Sequence, residues 1–132
     1  MRFQRVYCGA PSEVRRVRAD LAAVTAGCPV ADELVLLASE LATNAVTHSR
    51  SGEPGATFTV RAELRQGAYA RVEVEDLGGG WSNHVGQHDE HGRGLAIVGA
   101  IAGDGNWGIG TGCTAEGCVV WARVAWCQDE DR

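Results

Sequence analysis

Three polar side chains in the stretch ELATNAVTHS, residues 40–49, are spaced so that they can act together. Glu40, Asn44 and His48 follow one another at intervals of four residues. Positions four apart lie on one face of an α-helix, so a helix here would carry a carboxylate, a carboxamide and an imidazole in one stripe. A carboxylate can act as a general base, and an amide oxygen suits Mg²⁺. The same stripe is also typical of the solvated face of an ordinary amphipathic helix.

Two glycine-rich segments further along the chain have a composition that suits binding of a ligand by backbone N–H groups. The first, DLGGG, begins at Asp76, and the second, HGRGL, contains Gly92 and Gly94 just before an apolar run. Glycines let backbone N–H groups approach a ligand closely, and a helix N-terminus offers unpaired donors that suit phosphate. Each segment by itself is equally typical of a turn or of a helix start.

Together these features supply a candidate for each part of a nucleotide. A buried Asp76 carboxylate would accept a hydrogen bond from an exocyclic amine, and the Asn44 oxygen with phosphate oxygens would suit Mg²⁺. The sequence contains neither a Walker-type P-loop nor a dinucleotide fingerprint. A nucleotide would therefore be bound in another way.

Two amphipathic helices are predicted in the first part of the chain. Apolar residues recur at spacings of three and four over residues 12–25, with Ser12 as N-cap, and again over residues 32–47. The expected core positions are Val14, Val17, Leu21 and Val24 in the first helix, and Leu34, Leu37, Ala38, Leu41 and Ala45 in the second. We expect His48 to cap the end of its own helix.

Alternating apolar and polar residues predict two strands, 57–65 and 69–76, joined by a tight turn at Gln66 and Gly67. Asp76 shares its parity with the strand's valines, so we expect its carboxylate to face the buried side and to need a partner. Beyond it the sequence predicts a loop over 77–94, a short helix over 95–102 and strands at 107–109 and 118–126. This order favours an α+β fold, a two-layer sandwich with helices on one face of a mixed sheet.

Length and composition narrow the class of protein. The 132 residues suit a single domain over 1–132, and no apolar run approaches the roughly 20 residues that span a bilayer. The polar N-terminal stretch does not resemble a signal peptide, so we expect a cytoplasmic protein with no membrane partner. A net charge of −5 argues against direct nucleic-acid binding. The five cysteines form no C-x-x-C pair, and we expect reduced thiols.

The motifs ELATNAVTH, DLGGG and HGRGLAIV, in this order, resemble the N, G1 and G2 boxes of the Bergerat-fold (GHKL) ATPases, which include gyrase, MutL, a heat-shock chaperone and sensor histidine kinases. Within that superfamily, SELATNAVTHS, HGRGLAIVGAIA and GDGNWG most resemble the anti-sigma-factor type of serine protein kinase. The resemblance covers about residues 12–126. It implies the Bergerat sandwich, with a mostly antiparallel sheet, and ATP and Mg²⁺ as cofactors.

The resemblance also implies roles for the polar residues. Glu40 matches the N-box glutamate regarded as general base, and Asn44 matches the asparagine that ligates Mg²⁺. Asp76 matches the G1 aspartate that binds the adenine amino group. His48 matches no residue with an assigned role.

Further matches concern the backbone around the nucleotide. By resemblance, Gly78 and Gly80 shape the pocket wall, and Gly92 and Gly94 lie at the phosphates. Arg93 either reaches a phosphate or is simply a solvent-facing residue at a helix start.

Two segments depart from the pattern of these kinases. Val119 stands where their final strand often carries a threonine near the base. Residues 81–91, in the position of the nucleotide lid, contain acidic residues but no Lys or Arg. The lid therefore brings no cation to a γ-phosphate.

Two functional hypotheses follow from the resemblance. The first is a serine/threonine protein kinase that phosphorylates an antagonist protein and binds a sigma factor, with a homodimer expected. The second is a module of the same fold that sequesters a partner in response to nucleotide without turnover, which the cation-poor lid favours. A histidine-kinase catalytic fragment is disfavoured, because no helical phosphoacceptor segment precedes the motifs in this sequence.

Overall fold

A computed structural model describes residues 1–78, 97–103, 106–109 and 117–126. The strands are β1 (Arg2–Cys8), β2 (Thr57–Arg65), β3 (Tyr69–Asp76), β4 (Trp107–Ile109) and β5 (Cys118–Ala125). The helices are α1 (Pro11–Val24), α2 (Ala31–His48) and α3, which is helical over 97–102, with a 3-10 turn at Arg50–Gly52 between α2 and β2. The two predicted long helices and the predicted hairpin are thus confirmed to within a residue or two.

The strands form one sheet in the order β1-β2-β3-β5-β4. Each pairing between the described strands is antiparallel, as where Val74 of β3 lies between Val60 of β2 and Val120 of β5. Both long helices have their buried apolar residues in one core with the inward-facing side chains of the strands. The chain is therefore an α+β two-layer sandwich, which confirms the predicted fold class.

The core contains the residues that helical and strand periodicity selected, except Val24. Val24 is the last residue of α1 and is exposed, and the neighbouring Thr25 is buried instead, so the prediction of Val24 as a core position was wrong. Leu21, Leu34 and Leu37 are fully buried, as are Val72 and Val74 at the centre of the sheet. Because burial of each such side chain is worth about 1.5–3 kcal/mol, this shared apolar layer holds the two helices on the sheet. Within the described ranges, no helix is both long and apolar enough to cross a membrane.

The first strand, β1, was not predicted, although it forms an edge of the sheet. Its sequence RFQRVYC contains two arginines and a glutamine, so the apolar alternation is weak. Of its side chains only Tyr7 is fully buried, where its ring stacks on Phe58 with centroids 5.6 Å apart. The Tyr7 hydroxyl donates to Asp20 Oδ2 of α1 at 2.7 Å. Burial, together with this hydrogen bond, raises the pKa of Tyr7 well above its usual range.

The N-terminus of α1 also differs from the prediction. The N-cap is Ala10, which makes no side-chain hydrogen bond to the helix, and Pro11 is the first helical residue. Proline suits this position because its fixed φ is helical and it lacks an N–H that would need a cap. Ser12 therefore lies inside the first turn, and its prediction as N-cap was wrong.

The outer face of the sheet, opposite the helices, carries charged side chains. Glu73 accepts hydrogen bonds from Arg61 at 2.8 Å and from Arg71 at 2.6 Å. Burial alone raises the pKa of Glu73, but the two guanidinium groups outweigh it, and the pKa lies below the usual range of a glutamate. Arg71 also lies over the ring of Trp121, 5.4 Å from its centroid. These contacts satisfy the charges on the outer face without a ligand.

Candidate nucleotide-binding site

The C-terminal half of α2 presents the predicted polar stripe, and the structure places it at the edge of the core. Glu40 and His48 are half-buried, and Asn44 between them is only 4% exposed. The alternative that the stripe is simply a solvated helix face is therefore wrong for Asn44. The C-cap of α2 is Ser49 rather than His48, and the Ser49 hydroxyl donates to the carbonyl oxygen of Ala45 at 2.7 Å.

The amide of Asn44 has a polar atom without a hydrogen-bond partner. Within the described residues, Asn44 Nδ2 is buried and makes no hydrogen bond. Most buried side-chain polar atoms in proteins are paired, so an unpaired one needs an explanation. A rotation of the amide by 180° exchanges its nitrogen and oxygen, so this position can present an oxygen to a cation. The observation fits a Mg²⁺ ligand.

No larger metal cluster accompanies Asn44 in the part of the chain that the structure describes. There, no group of three or more His, Cys, Asp or Glu side chains is arranged to hold a metal ion. Mg²⁺ in nucleotide sites commonly uses one or two protein ligands together with water and substrate phosphates. A single asparagine therefore suits an ion that arrives with a nucleotide better than one held by the protein alone.

Asp76 is the last residue of β3, and its carboxylate faces inward as predicted. The residue is 3% exposed, and its Oδ1 accepts a hydrogen bond from the backbone N–H of Gly78 at 2.6 Å. Gly78 has φ of +76°, a conformation that side-chain-bearing residues rarely adopt. The glycine thus allows the chain to turn back so that its N–H orients the carboxylate of Asp76.

Hydrogen bonds join the end of α2 to the end of β3. The backbone N–H of Arg50 donates to the carbonyl oxygen of Gly78 at 2.8 Å. Asn44 lies about one helical turn before the end of α2, and Asp76 lies two residues before Gly78. The candidate metal ligand and the candidate base-binding carboxylate are therefore brought to the same end of the sandwich by different elements.

On the neighbouring strand, Cys118 rather than Val119 lies beside Asp76. Cys118 is the register partner of Asp76 and is 3% exposed, while Val119 belongs to the opposite, outer face. The expectation that Val119 stands near a bound base is therefore wrong, because a shift of one residue along a strand reverses the face.

Cys118 also corrects the prediction that all five cysteines are reduced thiols. Cys118 is disulfide-bonded, while Cys8 and Cys28 are free. Spacing in the sequence does not reveal which thiols the fold brings within bonding distance, and this is why the bridge was not predicted.

The remaining predicted site residues lie outside the described residues. These are Gly80, Gly92, Arg93 and Gly94, together with the lid segment 81–91. Their roles stay predictions from the resemblance.

No role was predicted from the sequence for Arg50 and Ser51. Both make hydrogen bonds to Leu77, the residue after Asp76. The signal available in the sequence was a Ser-x-Ser pair, Ser49 and Ser51, because serine hydroxyls commonly bond the backbone two residues on. Nothing in the sequence indicated that the second hydroxyl would bind a residue 26 positions away.

A comparison with protein families identifies the family of this chain. A family model described as the histidine kinase-like ATPase domain matches residues 9–123, which is most of the chain. A search of curated proteins found no match. The matched range runs from the end of β1 into β5 and includes both long helices and the stripe on α2. The chain belongs to the histidine kinase-like ATPase domain family, within the GHKL-type ATPases.

Proposed function

We propose that this protein binds Mg-ATP through Asn44 and Asp76 and that it is a regulatory serine/threonine protein kinase of the anti-sigma-factor type. Membership of an ATPase-domain family supports the nucleotide. The observation that carries the assignment to these residues is the buried side chain of Asn44, whose Nδ2 has no hydrogen-bond partner among the described residues, at the same end of the sandwich as Asp76. A buried polar atom that lacks a partner is expected in a ligand site, where the ligand supplies the partner. It is not expected on a solvated helix face, where water does so.

Each residue has a distinct part in this proposal. The Asp76 carboxylate accepts a hydrogen bond from the adenine amino group, and Asn44 holds Mg²⁺, which when bound neutralises charge on the transferred phosphate. Glu40 lies one turn before Asn44 on α2 and is half-buried, so it can receive the proton of an incoming hydroxyl. The resemblance assigns Gly78 and Gly80 to the pocket wall and Gly92 and Gly94 to the phosphates, and in this proposal Arg93 reaches a phosphate as well.

The partners in this proposal come from the resemblance. The phosphorylated substrate is a serine or threonine of an antagonist protein, and the second partner is a sigma factor. We place this exchange in the cytoplasm, and we expect the protein to act as a homodimer.

A sequestering module without turnover is the second candidate, and the lid sequence favours it. Residues 81–91 contain Asp89 and Glu90 and no Lys or Arg. Transfer of a phosphoryl group requires neutralisation of the charge that spreads over its oxygens, and this segment supplies no cation for that purpose. In this alternative the nucleotide controls binding of the partner and is not consumed in phosphorylation.

Two variants separate the candidates, because binding and chemistry depend on different residues. In Glu40→Gln the shape is kept and the proton acceptor is lost, so we expect phosphate transfer to fall by about 10²- to 10⁴-fold while ATP affinity changes little. In Asn44→Ala we expect Mg-dependent ATP affinity itself to fall. Affinity is measured by titration with ATP and Mg²⁺, and transfer by γ-labelled ATP with candidate antagonist proteins.

Matched controls lie on the same helix and elsewhere in the chain. Glu33→Gln removes an exposed carboxylate from the first turn of α2, and Asn106→Ala removes an amide that donates to the carbonyl oxygen of Ala102. Neither should alter ATP affinity or transfer. A Glu40→Gln protein with parental transfer would rule out the base role. A parent chain that binds ATP tightly but labels no antagonist would favour the sequestering module.

A further inference from the structure

Three consecutive peptide groups after β3 are held by the turn that follows α2, residues 49–52. The N–H of Leu77 donates to Ser51 Oγ at 2.9 Å, and the carbonyl oxygen of Leu77 accepts from the guanidinium of Arg50 at 2.7 Å. The carbonyl oxygen of Gly78 accepts from the backbone N–H of Arg50 at 2.8 Å. The turn therefore determines the path of the chain directly after Asp76.

These contacts reach the carboxylate of Asp76 through one peptide group. The Leu77–Gly78 peptide presents its carbonyl oxygen to Arg50 and its N–H to Asp76 Oδ1, at 2.6 Å. Because a peptide group is planar, fixing its oxygen also fixes the direction of its N–H. The orientation of the Asp76 carboxylate thus depends on where the 49–52 turn holds this peptide.

The 49–52 turn is itself anchored to the helix that carries Asn44. The N–H of Ser51 donates to Ser49 Oγ at 3.0 Å, and Ser49 Oγ donates to the carbonyl oxygen of Ala45 at 2.7 Å. Ser51 is fully buried, and a Cβ added at Gly9 would lie only 1.5 Å from its carbonyl oxygen. The turn is enclosed on both sides and has little room to shift.

We propose that Ser51 and Arg50 are positioning residues that set the preference of the site for adenine by fixing the orientation of Asp76. This inference rests on the proposed function, in which Asp76 reads the adenine amino group. The hydroxyl of Ser51 is neutral and buried, so its effect is geometric. Loss of either contact loosens the peptide that orients the carboxylate, and the contact to the amino group weakens while contacts to the rest of the nucleotide remain.

The test compares ATP with inosine triphosphate, whose base has a carbonyl group where adenine has the amino group. We expect Ser51→Ala to weaken binding of ATP by about two- to tenfold, the range of one neutral hydrogen bond. Binding of inosine triphosphate should stay unchanged. The dissociation constant of inosine triphosphate divided by that of ATP, which measures the preference for adenine, should therefore fall. Both constants are measured by calorimetric titration in the presence of Mg²⁺.

A control separates positioning from general stability. The Thr25 hydroxyl is buried and donates to the carbonyl oxygen of Leu21 at 2.6 Å, at the end of α1. Thr25→Val removes a hydrogen bond of the same kind with nearly the same volume. It should lower the unfolding temperature and leave the ratio of ATP to inosine triphosphate affinity unchanged.

A second variant keeps the test decisive if Ser51→Ala does not fold. Arg50 is exposed, and Arg50→Lys retains the positive charge but loses the rigid, planar guanidinium whose Nη2 donates to the Leu77 carbonyl oxygen. We expect the same fall in the affinity ratio. A ratio that stays parental in Arg50→Lys and in folded Ser51→Ala would overturn the positioning role alone. A parent chain without preference for ATP over inosine triphosphate would instead overturn the base role of Asp76 and this inference with it.

Discussion

Asp76 and Asn44 are both almost fully buried, yet the surrounding structure satisfies them differently. Asp76 Oδ1 accepts a short hydrogen bond from Gly78, whereas Asn44 Nδ2 has no partner among the described residues. Leaving a buried polar atom unpaired costs about 1–3 kcal/mol. A chain selected for stability alone would place an apolar residue at position 44. The asparagine is therefore better explained by a ligand than by packing.

The clearest prediction at the residue scale concerns Asp76 and the base. Asp76→Ala should weaken ATP binding by about 10- to 150-fold, the range for loss of a hydrogen bond to a charged group of about 1.5–3 kcal/mol. GTP should bind more weakly than ATP to the parent chain, because guanine has a carbonyl group where adenine has the amino group, and the variant should abolish that difference. Calorimetric titration with both nucleotides measures the two affinities.

Asp76→Asn is the matched control for this substitution. Its side-chain oxygen can still accept from Gly78 N–H, so the turn after β3 is retained while the charge is lost. We expect an ATP affinity between those of the parent chain and Asp76→Ala. A folded Asp76→Ala protein with parental ATP affinity would refute the base-binding role.

At the scale of elements, the two faces of the sheet differ in what covers them. The inner face packs on the helices and ends in Asp76, whereas the outer face is covered by paired charges around Glu73. A cavity of about 380 Å³ lies on this outer face and is lined in part by Arg61 and Arg71. Both of these guanidinium groups bind Glu73, and the third arginine that lines the cavity, Arg2, lies 3.5 Å from Glu63, so the arginines of this cavity are already paired with carboxylates.

The connection between β1 and α1 should be sensitive to a single added methyl group. A Cβ at Gly9 would lie 1.5 Å from the carbonyl oxygen of Ser51, so Gly9→Ala must displace the 49–52 turn or the end of β1. Overpacking of this kind costs about 1–3 kcal/mol. Denaturant unfolding should show a free energy of unfolding lower by that amount, and hence a lower midpoint. In the control Gly117→Ala, the nearest atom would be the Asp76 carbonyl oxygen at 3.6 Å, an ordinary contact, and the midpoint should barely change. Equal stability of the two variants would contradict this account of Gly9.

At the scale of the whole molecule, the disulfide of Cys118 makes a prediction about covalent mass. The chain purified without reductant should be lighter by two hydrogen atoms than the unmodified sequence, because formation of one bridge removes two protons and two electrons from a pair of thiols. Mass spectrometry without reductant measures this difference, and reduction should restore the unmodified mass. Cys118→Ser serves as the control and should show no such change on reduction. An unmodified mass in the parent chain purified and measured without reductant would contradict the bridge.

The sequence by itself determined the elements whose signals are local. Helical spacing located α1 and α2, alternation located β2 and β3, and strand parity predicted that Asp76 faces inward. These signals are strong because each element buries one face, and the period of the apolar residues records that face. The sequence did not predict β1, because this edge strand has only one fully buried side chain and a single buried residue produces no apolar alternation.

Only the tertiary structure decided which polar groups are paired and which are not. Three findings depend on residues from separate elements: the hydrogen bond from Leu77 to Ser51, the register of Cys118 beside Asp76, and the lack of a partner for Asn44 Nδ2 among the described residues. Local sequence preferences do not specify such contacts, because each arises where independently formed elements are pressed together by the shared apolar core. The spacing of Glu40, Asn44 and His48 was therefore enough to predict the polar stripe on α2. The burial of Asn44, on which the argument for a ligand depends, is visible only in the packed molecule.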